Sequence, residues 1–227
     1  MSRTVTIDGA SGSGKTTLGG RLAGALGLPL LDTGLFYRGV MVAAVRAGLT
    51  DADPDRLAEL ARRTRVEIDT DPRLVDDDAA TLVDGAPAGP ALRDPAHALL
   101  LSRLSGVPGV RQAILGAQRE LGAGGVVAVG RDCGTVVFPN APVKLFLRAS
   151  EDLREGRRRA QLLEAGRAVS GDLLRGEIGG RDALDAGREL SPLRPADDAH
   201  IIDSGAENIE EMVATALKIC AEAGLTG

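Results

Sequence analysis

At 227 residues the chain suits one large α/β domain, or a core with a small insert, and its 44% hydrophobic content is enough for a real core. With only 2% aromatic residues the packing falls on Leu, Val and Ala, and a net charge of −5 argues against a general nucleic-acid binder. Two cysteines, Cys133 and Cys220, supply neither a disulfide framework nor metal-ligand spacing, and with no signal-like start and no apolar run of ~18 residues a cytoplasmic protein away from membranes is expected.

Thr4-Val5-Thr6-Ile7-Asp8 is β-prone and runs into Gly9, Ala10, Ser11, Gly12, Ser13, Gly14, Lys15, Thr16 and Thr17. Leu18, Leu22 and Leu26 then recur at helical spacing. Strand, glycine loop and helix in that order form the setting of a phosphate-binding P-loop. Glycines let successive N–H groups turn inward on a polyphosphate, and the helix adds the positive end of its dipole. Lys15 is expected on the β- and γ-phosphates of a nucleoside triphosphate, and the Thr16 hydroxyl on Mg²⁺.

Leu28-Pro29-Leu30-Leu31 reads as a short buried strand, and Asp32-Thr33-Gly34-Leu35-Phe36-Tyr37-Arg38 leads into an apolar helix through about Ala47. A Thr33 hydroxyl and Arg38 beside the P-loop crevice suit a second phosphorylated ligand; Tyr37 is the only tyrosine. A helix is predicted from Pro54 to about Arg63. The alternation at Val66-Glu67-Ile68-Asp69, with Thr81-Leu82-Val83 before Asp84-Gly85, predicts a small β-hairpin insert. The acids at Asp76, Asp77 and Asp78 lack the spacing of a Ca²⁺ loop and read as a solvated turn. Two helices are predicted at about Pro90–Leu104 and Pro108–Leu121; His97 reads as packing or surface, and the residues alone give no reason to single out Ser102 or Arg111.

Gly125-Val126-Val127-Ala128-Val129 has the composition of a strand buried on both faces, and it ends in Gly130-Arg131-Asp132-Cys133-Gly134-Thr135. Charges at the carboxyl end of a central strand lie where α/β sheets bind ligands, while Cys133 reads as a packing residue. After a strand at Val143–Leu147, a helix from Ser150 carries Arg154, Arg157, Arg158 and Arg159. Arg181, Asp185 and Arg188 also fall at helical spacing, so two guanidiniums and a carboxylate can converge on one ligand. His200–Asp203 reads as the last strand and Ile209–Ala223 as the closing helix. Strands alternating with helices imply a parallel sheet with helices on both faces.

Together these stretches resemble the bacterial cytidylate kinases, P-loop nucleoside monophosphate kinases with an enlarged monophosphate-binding region, over nearly the whole chain. The likeness rests on Ile7-Asp8-Gly9 with the P-loop, Asp32-Thr33-Gly34 with Tyr37-Arg38, Gly130-Arg131-Asp132, Arg181-Asp182 with Asp185 and Arg188, and Ser191-Pro192-Leu193. It implies a three-layer α/β/α core at about 1–35, 122–150 and 196–227, a monophosphate-binding region at about 36–121 and a lid at about 151–192. It implies transfer of the γ-phosphoryl group of ATP, with Mg²⁺, to CMP or dCMP by a monomer. Residue by residue, it assigns the acceptor phosphate to Arg38, Arg131 and Arg188, the sugar to Asp185 and Arg181, and the cytosine edge to Ser102, Arg111 and Asp132. Arg157 and Arg158 would close with the lid over the donor phosphates, so that Lys15, Arg131, Arg157 and Arg188 surround the transfer.

The chain departs from the family pattern at Thr16-Thr17, at the large pair Leu35-Phe36 beside the expected acceptor site, and at Val129. These departures keep every phosphate ligand and leave a kinase for a modified cytidine monophosphate, or another small acceptor, as a second expectation. A non-catalytic nucleotide-binding module is the third, opposed by arginines aimed at a second phosphate. No general base is required, because a monophosphate oxygen is already ionised near neutral pH.

Overall fold

The computed structural model describes residues 3–74, 80–164 and 192–226. Its elements run β1 (Val5–Gly9), α1 (Lys15–Leu26), β2 (Leu30–Asp32), α2 (Gly34–Arg46), α3 (Pro54–Arg63) and β3 (Val66–Ile68). They continue with β4 (Thr81–Val83), β5 (Ala86–Pro87), α4 (Ala98–Ser105), α5 (Pro108–Leu121), β6 (Val127–Gly130), β7 (Val143–Arg148) and α6 (Glu151–Glu164). β8 (His200–Asp203) and α7 (Ile209–Glu222) close the described chain.

Five strands form a parallel sheet in the order β2-β6-β1-β7-β8, with β1 in the middle. The two-residue period of the strands divides their side chains between two cores. Val5 and Ile7 of β1 pack with Leu18, Leu22 and Leu26 of α1 and with Met212, Ala216 and Cys220 of α7. Leu31, Val126 and Ala128 face the opposite way, into a core built with α2, α3, α4 and α5. Thr6 and Asp8 alternate with Val5 and Ile7 on β1 and are buried as well, so a carboxylate lies inside at the sheet's carboxyl end.

The expected hairpin exists and is larger than the sequence indicated. β3, β4 and β5 make a three-stranded antiparallel sheet, and Asp84-Gly85 is the two-residue turn between β4 and β5. Both turn residues have positive φ, 53° and 77°, as that tight connection requires. The helix expected over 90–104 is shorter. Pro95 disfavours helical geometry at Asp94, which is extended at φ −67°, ψ 121°, so two short 3₁₀ turns precede α4.

α5 carries Arg111 and Gln118, and it lies close against α3 at Gly109. A Cβ there would stand 2.6 Å from Ala58 Cβ. Gly109→Ala is therefore expected to destabilise the fold by about 1–3 kcal/mol, the ordinary cost of overpacking. Each kcal/mol corresponds to about 2–4 °C in a chain of this size. An unchanged or raised melting temperature would show that the two helices are not held this closely.

Candidate active site

The glycine loop is built by backbone constraints at its start and end. Gly9 ends β1 at φ 153°, and a Cβ on it would stand 2.5 Å from the Leu147 carbonyl oxygen. Gly12 and Gly14 take φ 77° and 95°, in the left-handed region that favours glycine. Lys15 opens α1, and its Nζ donates to the Ala10 carbonyl at 2.6 Å, arching the side chain over the loop. The buried Ser13 Oγ has no partner among the described residues. The loop thus offers a glycine cradle, a folded-over ammonium and an unsatisfied hydroxyl, and Thr16 and Thr17 line the crevice beside it. This donor set fits a polyphosphate, and the Thr16 hydroxyl fits a hard cation such as Mg²⁺ bound to it.

The crevice beyond the loop has a volume of about 600 Å³, within the range of a nucleotide-sized site. Its electrostatics invert those of the chain. Arg38, Arg93, Arg111, Arg131, Arg154, Arg157 and Lys15 line it against three carboxylates, Asp32, Asp132 and Glu207, although the net charge is −5. A cationic cleft in an acidic protein concentrates anions without attracting nucleic acid to the whole surface.

The part of the crevice lined by Tyr37, Arg111 and Asp132 joins residues far apart in the chain. Arg111, from α5, forms an ion pair with Asp132, which follows β6, and both side chains are about nine-tenths buried. Arg111 also donates to the Ser105 carbonyl at 3.1 Å and lies 5.4 Å from the centre of the Tyr37 ring. The guanidinium is thus held in one plane by a carboxylate, a carbonyl and a ring face. Ser102 stands on the neighbouring α4 with its buried Oγ unpartnered among the described residues. Arg38 donates to the Leu92 carbonyl at 2.9 Å, and Arg131 lines the same crevice. Thr33 also lines it, but its hydroxyl donates to the Val129 carbonyl at 3.0 Å and so ties α2 to the end of β6.

α6 lies against the P-loop. Arg157 donates to the Ser13 carbonyl at 3.2 Å, to Ser204 Oγ at 3.0 Å and to the Ser204 carbonyl at 2.8 Å. Arg154 is buried and donates to the Ser11 carbonyl at 3.3 Å. A Cβ at Gly12 would stand 3.3 Å from the Arg154 backbone, so this docking also requires glycine. Arg181, Asp185 and Arg188 lie outside the described residues, as do the Arg158 side chain and most of the expected lid.

One expectation changes. Leu35 and Phe36 are 8% and 2% exposed and belong to the core rather than to the crevice wall. Tyr37 and Arg38, the next two residues of α2, line the crevice instead. Sequence reasoning also missed the rim formed by Glu207, Asn208, Ile209 and Met212. The signal was present: Asn208 and Glu211 form a reciprocal capping box at the start of α7, a pattern legible as Asn-x-x-Glu.

Asp8, which the sequence marks only as part of Ile7-Asp8-Gly9, has a specific place. One oxygen accepts the Cys133 N–H at 2.8 Å and the other the Gly134 N–H at 2.7 Å. Burial raises its pKa to about 6 from 3.8; the two N–H groups oppose that rise and the negative charge of Asp132 adds to it. Because the folded value is the higher one, stability gained from Asp8 is greatest below pH 3.8 and is lost as pH rises through 6. At neutral pH the buried charge costs about 3 kcal/mol. Burial also pushes the Cys133 thiol up, so it stays protonated, in keeping with a packing role.

A parallel sheet with a glycine cradle at the end of its middle strand, opening on an arginine-lined crevice, defines a P-loop nucleotide-binding α/β protein. The family model for cytidylate kinase matches residues 5–222. Cytidylate kinases of Syntrophotalea carbinolica and Rhodococcus opacus are 44% and 39% identical to this chain, each over 96% of it and over 92% and 94% of their own lengths. The chain belongs to the cytidylate kinase family. A solved structure of an uncharacterized protein from Eubacterium ventriosum shares the fold at a TM-score of 0.50 and 12% identity, over 97% of this chain and 99% of its own.

Proposed function

We propose that the chain transfers the γ-phosphoryl group of ATP to CMP or dCMP, giving ADP and CDP or dCDP. The observation that carries this reading is the buried Arg111–Asp132 pair facing the same crevice as the P-loop. Cytosine offers a 4-amino donor suited to the Asp132 carboxylate, and its N3 and O2 acceptors suit Arg111 and the Ser102 hydroxyl. Arg38, Arg131 and Arg188 hold the acceptor phosphate, and Arg181 and Asp185 the sugar. The P-loop with Lys15, Arg157 and Arg158 holds the donor phosphates. Mg²⁺ on the Thr16 hydroxyl would neutralise part of the donor's charge.

The chemistry then needs alignment more than proton transfer. An ionised oxygen of the acceptor phosphate attacks the γ-phosphorus in line, and the bond to the ADP oxygen breaks as the new one forms. Arginines and Lys15 hold two mutually repelling anions together and stabilise the charge spread over the transferring group. Closure of the segment at about 151–192 would keep water from taking the phosphoryl group. In this reading a core, an acceptor region at about 36–121 and a lid at about 151–192 share the work, and the protein acts as a cytoplasmic monomer. Both cysteines are buried and free, and no helix of the described residues is long and apolar enough to cross a membrane.

A coupled ADP-release assay with CMP, dCMP and UMP tests the reading. Uracil would place its 4-carbonyl oxygen against Asp132 and its N3–H against Arg111. Burying such mismatches costs about 1–3 kcal/mol each, so CMP or dCMP should exceed UMP at least ~10-fold in kcat/KM. Equal use of UMP would overturn the base assignment, and no ADP release with any acceptor would leave a binding module.

A further inference from the structure

We propose that Asp8 is the positioning residue for cytosine recognition: fixed at the end of β1, its carboxylate holds the loop that carries Arg131 and Asp132. The proposal rests on the functional reading above. Asp8 does not contact the acceptor in this scheme; it acts through the backbone. Its two oxygens accept consecutive N–H groups, those of Cys133 and Gly134, which begin immediately after Asp132. Asp8 itself cannot drift, because its strand pairs with Gly130 on one side and Phe146 on the other.

The loop has little room to find another seat. A Cβ on Gly134 would lie 2.9 Å from Thr6 Oγ1 and 3.4 Å from Asp8 Oδ2. A Cβ on Gly130 would lie 2.3 Å from Thr33 Oγ1 and 2.6 Å from Cys133 Sγ. The loop is therefore clamped between β1 and the start of α2, and Asp8 fastens it by charge from the β1 side. One residue before that fastening, Asp132 meets Arg111. An error in where the loop sits thus becomes an error in where the base-reading carboxylate sits.

Charge state decides whether the fastening works. An ionised carboxylate accepts on both oxygens; a protonated one turns an O–H donor toward a backbone N–H. The titratable groups that bear on Asp8 are the Asp132 carboxylate and the Cys133 thiol, while the Lys144 ammonium, whose stem runs beside Gly134, is taken by Asp198 at 2.9 Å. None of them neutralises Asp8 directly. With its pKa raised to about 6 by burial, Asp8 loses its charge in mildly acidic solution.

The test is the ratio of kcat/KM for CMP to that for UMP, measured from pH 7.5 to 5.5. Both acceptors carry the same phosphate, so its ionisation cancels in the ratio. The ionised fraction of Asp8 falls to about a quarter at pH 5.5, so the wild-type ratio should fall ~3-fold or more. In Asp8→Asn the ratio should be low and independent of pH, with KM for ATP within ~3-fold of wild type, since the P-loop keeps its own constraints. A merely structural role would weaken ATP and CMP together. A wild-type ratio that stays flat with pH overturns the proposal even if Asp8→Asn fails to fold. An Asp8→Asn enzyme that keeps the wild-type ratio and slope overturns it too. Equal use of CMP and UMP at pH 7.5 would instead overturn the functional reading, and this proposal with it.

Discussion

Replacing Lys15 by alanine is expected to lower turnover by about 10²–10³-fold while leaving the fold intact. The ammonium arches over the loop to the Ala10 carbonyl, a placement from which it reaches a phosphate seated in the glycine cradle. A positioned charge that meets the transferring group is worth roughly 3–4 kcal/mol at the transition state. The loss should fall mainly on kcat, because the charge on the γ-phosphoryl oxygens shifts as the bond to ADP breaks, while the loop's N–H groups still bind the ground state. Stability should change little, since the side chain is only half-buried and helix α1 favours alanine. ADP release at saturating CMP, with a thermal melt beside it, gives both values. Turnover within a few-fold of wild type would remove Lys15 from the mechanism.

The P-loop was legible because its physics is local: nine contiguous residues set the turn, the helix start and the cation. The parallel sheet was legible for a similar reason, since short apolar runs such as Val126–Val129 alternate with helices and suit strands covered on both faces. The order β2-β6-β1-β7-β8 was not, because nothing within β1 specifies that β6 and β7 become its neighbours. The orientation of α2 was also hidden. It is apolar nearly all round, so no polar stripe reveals that Leu35 and Phe36 enter the core while Tyr37 and Arg38 meet the crevice.

The proposed acceptor site shows the same division between local and long-range information. Arg111 and Asp132 are separated by 21 residues, and Asp8 and Cys133 by 125. No spacing rule joins such pairs. Family resemblance pointed to Arg111 and Asp132 as base readers, and the folded chain adds what resemblance did not supply: their mutual ion pair and the Tyr37 ring beside it. Asp8 stood in the same motif stretch, yet only the contact with the Cys133 and Gly134 N–H groups gives it a task.

Asp132 is expected to carry most of the discrimination between cytosine and uracil, and removing its charge should collapse it. In the wild type the carboxylate is paired with Arg111, and under the proposed function it would also accept from the 4-amino group of the base. Uracil meets it with an oxygen, leaving a desolvated charge facing an acceptor. Asp132→Ala should therefore cut kcat/KM for CMP by ~10–100-fold and for UMP far less, bringing the two within ~3-fold of each other. The same change strands a guanidinium that is 11% exposed, and breaking a buried pair costs about 3–5 kcal/mol, so the alanine variant should also melt earlier. Asp132→Asn separates the two effects. It keeps the shape and one acceptor oxygen for the amino group, and its own amide N–H₂ can meet the uracil oxygen. Its CMP-to-UMP ratio should fall with a smaller loss of stability. If the asparagine enzyme folds and still prefers CMP as strongly as wild type, Asp132 serves Arg111 alone and the base is read elsewhere.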